Sequence, residues 1–144
     1  MNTLSIYQEK ILKLAAENKK SRPIDDYNCS FIMKNPMCGD EVQVRVDLIN
    51  EKINNISAIV RGCALCEASA GLVVQLFKNN SVPHNDFMKE FLFWLNNNGQ
   101  EINSSLPKEL EIFLPIKEIS NRHTCITMPF EATIKSLKSS NKEN

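Results

Sequence analysis

Three cysteines of this chain stand where the predicted elements meet, among residues typical of turns. Cys38 lies in Asn35-Pro36-Met37-Cys38-Gly39-Asp40, just ahead of the clearest strand pattern. Cys63 follows Arg61-Gly62, where a β pattern gives way to a helical one. Cys125 follows Arg122-His123-Thr124, near the start of the last predicted helix. Cysteines kept for packing fall inside apolar stripes, whereas loops on a rigid scaffold are where ligands are placed. Gly39 can take a positive φ, which lets the thiol of Cys38 and the carboxylate of Asp40 converge. Cys63 meets the unpaired N–H groups of a helix start, whose partial positive charge favours thiolate. Cys125 is expected to share that advantage, with Arg122 close by. Three thiolates and one carboxylate form a tetrahedral set suited to zinc. The same set suits a labile iron–sulfur cluster, because the harder oxygen binds a soft cluster less firmly than a fourth thiolate would. From the residues alone the alternative stays open that these are buried, inert thiols.

The chain has 144 residues, 42% hydrophobic and 24% charged, which is ordinary composition for one globular domain. Lys plus Arg number 17 and Asp plus Glu 17, so no basic excess points to nucleic acid. No apolar run approaches the roughly 18–20 residues that span a bilayer. The charged N-terminal stretch does not read as a signal peptide. A cytoplasmic protein is therefore expected, with neither membrane nor nucleic acid as partner. Five cysteines is an odd number, and in a reducing compartment thiols serve as ligands, nucleophiles or core residues rather than disulfides.

The elements that must position these residues follow from periodicity. Leu4, Tyr7, Ile11, Leu14 and Ala15 mark an amphipathic helix over 4–16. A short strand is expected over 28–33. From 41 to 48, Glu41, Gln43, Arg45 and Asp47 alternate with Val42, Val44, Val46 and Leu48, a strand with one buried face. A turn at Asn50-Glu51-Lys52 leads into a second strand over 53–60, a hairpin. Leu65, Ala68, Leu72, Val73 and Leu76 then carry a helix over 64–78. Phe87, Phe91 and Leu95 line another. A last helix is expected over 122–137, with Pro129 kinking or splitting it. This order gives an α+β domain, a small antiparallel sheet of about three strands packed against helices. It spans 1–144 as a single domain, with a flexible tail from about 138.

The motifs Asn35-Pro36-x-Cys38-Gly39-Asp40, Gly62-Cys63-Ala64-Leu65-Cys66-Glu67-Ala68-Ser69 and Arg122-x-x-Cys125 together resemble the NifU N-terminal (IscU/SufU) family of iron–sulfur assembly proteins. The likeness runs from the first helix to about Leu137. It implies a SufE/NifU-like fold and maps the family's ligands onto Cys38, Asp40, Cys63 and Cys125. Two departures point to the SufU-like branch: Thr124, not histidine, directly precedes Cys125, and the gap between Cys63 and Cys125 is long. That branch implies zinc, or a transient iron–sulfur cluster on the same ligands. It implies a cysteine desulfurase as donor and apo iron–sulfur proteins as recipients. The chain is then either a zinc-dependent sulfurtransferase or a non-enzymatic scaffold. Cys125 is the expected sulfur acceptor, as the ligand on a terminal helix free to detach. The alternatives are a structural zinc module without transfer activity and a thiol hydrolase built on Cys125 and His123, which lacks an orienting acid. Cys66 reads as a core residue, with spare ligand or disulfide partner as its other readings. Cys29 reads as core, His84 as surface. His123 is either an ordinary residue of a helix start or a ligand.

Overall fold

A computed structural model describes residues 3–140. The chain runs through α1 (Thr3–Lys19), the strands β1 (Cys29–Lys34), β2 (Glu41–Ile49) and β3 (Lys52–Arg61), α2 (Ala64–Phe77), β4 (Asn80–Ser81), α3 (Phe87–Asn96), two 3-10 segments (Lys108–Ile116 and Ser120–Arg122) and α4 (His123–Ser140). The strands form one antiparallel sheet in the order β1-β2-β3-β4. The expected three strands are all present; the fourth is a two-residue edge pairing with Lys52 and Ile53.

The alternation read along β2 is the sheet's backbone. Val42, Val44 and Val46 are wholly buried, while Glu41, Gln43, Arg45 and Asp47 face out. A register shift between Asp47 and Leu48 ends that parity, which is why Leu48 is only partly buried and Ile53, then Ile56 and Ala58, take the core positions of β3. Asn50 takes φ 57 in the hairpin turn, a conformation asparagine tolerates.

Helices α1, α2 and α4 cover one face of the sheet, and α2 is the central helix. Its eight residues from Cys66 to Val73 form a continuous buried stretch in which Gly71 lets α1 approach: a Cβ there would stand 3.0 Å from the Leu14 carbonyl. Helix α3 closes the far end through stacked and edge-on rings of Phe77, Phe87, Phe91, Trp94 and Phe130. Among the described residues no helix is long and apolar enough to cross a membrane.

One expectation for α4 needs correcting. Pro129 neither ends nor splits the helix; it is buried inside an unbroken run, and only the bond to the Cys125 carbonyl loses its donor. The helix runs to Ser140. Residues 141–144 lie outside the described residues.

Candidate metal centre

Asp40 is the middle of the site. It stands at the entry to β2, 5% exposed. Its Oδ1 accepts the backbone N–H of Cys63 at 3.3 Å, and its Oδ2 lies 3.4 Å from the Cys63 Sγ and 3.6 Å from the Cys125 Sγ. Room for this carboxylate comes from Gly62 across the sheet, where a Cβ would fall 2.4 Å from Oδ1 and 2.6 Å from Cγ of Asp40.

Each thiol is set by a different device. Cys38 rides a tight loop whose ends both return to Asn35. The Asn35 carbonyl accepts the Gly39 N–H at 2.8 Å, and the Asn35 N–H donates to the Asp40 carbonyl at 2.8 Å. The Asn35 side chain accepts the Met37 N–H at 3.0 Å. Gly39 has φ +78, as the turn requires. Cys63 caps α2: its backbone is extended, and its Sγ accepts the Cys66 N–H at 3.4 Å. Cys125 sits in the first turn of α4. Ligand atoms of Cys38, Asp40 and Cys125 all lie within 4.8 Å of one another, and Cys63 joins them through its contacts with Asp40. Three of the four residues singled out in the sequence share this group, and the fourth, Cys63, touches it at Asp40.

Their exposure differs from expectation. Cys38 is exposed and Cys63 partly so, while Cys125 is buried at 5%. Helix α4 is no loose terminal element; it packs across β1, β2 and α2. Burial, then the hydrogen bond and charge of Cys63 and the charge of Asp40, push the Cys125 thiol up to about 12. The thiolate character expected beside Arg122 is therefore not realised without a cation.

His123 is not turned to the site. Its Nε2 donates to the carbonyls of Ile116 and Lys117 at 3.2 and 2.9 Å, tying α4 to the preceding 3-10 segment. Cys29 is buried on β1 and Cys66 on α2, as expected of core residues. Reading by sequence missed Gly62 and Asn35 as supports of the ligands. A glycine directly before a junction cysteine was the available signal for the first.

The model of the NifU-like N terminal domain matches residues 6–91. The chain belongs to this family. The match includes Cys38, Asp40 and Cys63; Cys125 lies beyond it and enters the site by geometry. A nitrogen-fixing NifU-like protein (N-terminal) from Brucella abortus has the same fold, with a TM-score of 0.83 at 17% identity over 96% of each chain. A putative iron–sulfur cluster assembly scaffold protein for the SUF system from Fervidobacterium islandicum gives 0.72 at 22% identity, over 94% of this chain and 99% of that one. No curated protein matches the sequence. As a NifU-like domain, the chain is an iron–sulfur cluster assembly scaffold.

Proposed function

We propose that this scaffold holds one metal centre on Cys38, Asp40, Cys63 and Cys125 and takes sulfur at Cys38 from the persulfide of a cysteine desulfurase. The observation that carries the reading is the convergence of these thiols on one buried carboxylate with a single thiol, Cys38, left exposed. Three soft donors and one hard donor fit zinc, and fit a cluster that must leave again. Zinc bound by these residues keeps their thiols deprotonated at neutral pH. A cluster built on the same ligands is cargo for apo iron–sulfur proteins. A reducing, cytoplasmic setting suits five thiols of which none forms a disulfide.

Sulfur transfer is ordinary thiol exchange. The Cys38 thiolate attacks the outer sulfur of the donor persulfide, the donor S–S bond breaks, and the donor cysteine leaves as thiolate. Cys38 then carries the persulfide. Exposure favours Cys38 for this step over Cys125, whose sulfur a partner reaches only by displacing packed structure.

The test is desulfurase turnover with Cys38→Ala, Cys63→Ala and Cys125→Ala, each with a melting curve, zinc analysis and mass mapping of the persulfide. Cys38→Ala is expected to lose stimulation and keep its fold, with the persulfide of the parent protein on Cys38. A persulfide found only on Cys125 overturns the assignment. Zinc bound without any stimulation of turnover would leave a structural zinc module.

A further inference from the structure

Cys66 has no place in the ligand set, yet it stands directly behind it. Cys63-Ala64-Leu65-Cys66 is a Cys-x-x-Cys pair at the start of α2, the arrangement in which dithiol redox centres occur. Cys63 is the cap, with φ −75 and ψ 162, so its side chain turns back over the first helical turn and receives the Cys66 N–H at 3.4 Å. Side chains three apart on a helix have Cβ atoms about 5–6 Å apart, wider than the roughly 3.5–4.5 Å of a disulfide, so closing the bond takes a backbone adjustment at Cys63, which as the cap lies outside the helix. The two thiols also differ in access: Cys63 is partly exposed and Cys66 has no exposed surface.

We propose that Cys63 and Cys66 form a dithiol that reduces a sulfane sulfur held at this site to sulfide. The proposal rests on the sulfur-accepting reading above. A sulfane sulfur reaches Cys63 directly or by exchange from Cys38, giving a Cys63 persulfide. The Cys66 sulfur attacks the inner sulfur of that persulfide. The persulfide S–S bond breaks and the Cys63–Cys66 bond forms. The outer sulfur leaves with the bonding pair and takes up the Cys66 proton as hydrogen sulfide. Counted from the free thiols, the two cysteines supply two electrons and one sulfane sulfur becomes sulfide. A further round needs an external dithiol to reopen the disulfide. The scaffold then makes the sulfide that a cluster requires at the place where the cluster is built.

The experiment uses the full chain, stripped of metal by a chelator, loaded with inorganic polysulfide and desalted. Sulfide released without added reductant is trapped and counted, and a non-reduced digest locates any disulfide. The parent protein is expected to release sulfide and to yield a Cys63–Cys66 peptide lighter by two hydrogens. Cys66→Ser and Cys66→Ala are expected to keep the persulfide, with release slowed about tenfold or more until a thiol is added. Equal release from these variants overturns the proposal. So does a parent disulfide joining Cys63 to Cys125, a readout that does not depend on either variant folding. Because loading bypasses the desulfurase, failure here is separable from failure of sulfur acceptance. Cys66→Ala that still stimulates a desulfurase but releases no sulfide is the expected pattern when both readings hold.

Discussion

Adding one methyl group at Gly62 tests the architecture of the site without touching a ligand. Gly62 has an ordinary negative-side backbone, so alanine there meets no conformational penalty; the obstacle is space. Its Cβ would stand 2.4 Å from Oδ1, 2.6 Å from Cγ and 3.0 Å from Cβ of Asp40, where ordinary contact begins at 3.4 Å. The carboxylate has to move by about 1 Å, and because its own Cβ is also crowded, a rotation of the terminal oxygens does not suffice. Metal–ligand distances tolerate only about 0.2 Å. The movement also breaks the bond from the Cys63 N–H to Oδ1. Strain of this kind costs about 1–3 kcal/mol. Disturbing a ligand's support typically lowers metal affinity by about 10–100-fold. Zinc competition titrations and melts of Gly62→Ala read both numbers. The decisive arm is the double variant Asp40→Ala/Gly62→Ala. With Asp40 shortened only the 3.0 Å approach of its Cβ remains, so the second change is expected to cost clearly less than it does alone. Additive losses, or unaltered zinc affinity in Gly62→Ala, would refute the reasoning.

Asp40→Ala is expected to hold a reconstituted cluster longer and to pass it to an apo acceptor more slowly, since the exchangeable oxygen donor is gone; an unchanged transfer rate shows that Asp40 is not the weak ligand. Zinc uptake must remove the proton of Cys125, so affinity is expected to climb with pH through neutrality, and calorimetry in two buffers should find fewer protons released by Cys125→Ala. Glu67 is buried with its Oε2 accepting from Asn18 at 2.6 Å, and burial raises its pKa against the opposing effect of that bond. Its contribution to stability is full below the unfolded value of 4.5 and is lost as pH rises through the folded value. Glu67→Gln should therefore flatten the pH dependence and raise the melting temperature at neutral pH, and a lower one counts against this account. Phe91→Ala removes a fully buried ring 5.2 Å from that of Phe130 and is expected to cost about 3–5 kcal/mol in denaturant melts, with zinc affinity of the folded protein retained.

What could be read along the chain was whatever a local pattern carries. The alternation of Val42, Val44 and Val46 announces a half-buried strand, and the structure buries those residues fully. The turn glycine Gly39 and the cap position of Cys63 were likewise legible, because both are properties of a few neighbouring residues. Long-range consequences were not. Strand β4 is two polar residues, Asn80 and Ser81, with no pattern of its own; Asn79 at φ 64 turns the chain back so that they meet Lys52 and Ile53. The support given by Gly62 depends on β2 pairing with β3 so that Glu41 lies opposite Arg61, which brings Gly62 against Asp40. The burial of Cys125 depends on α4 crossing β1 and β2, and nothing in the sequence near Cys125 records that crossing. A terminal position and a proline suggested looseness, and tertiary packing overrode both.

That burial changes how cargo leaves the site. Cys63 and Cys125 both stand within contact distance of the Asp40 carboxylate, and three negative groups so placed repel. Without a cation the cost is relieved by a proton on Cys125, which is why its thiol is pushed up. Metal and proton thus compete for the same electrostatic vacancy, and loss of one is coupled to gain of the other. The exposed Cys38 offers the least resistance to an incoming ligand, while Cys125 is fixed by the core. On the proposed ligand set, an incoming ligand would meet the exposed Cys38 first and the harder oxygen of Asp40 next, and the buried Cys125 would be released last, its protonation opposing recapture of the metal. A site graded in this way from exposed to buried gives release a direction, which four equally exposed thiolates would not.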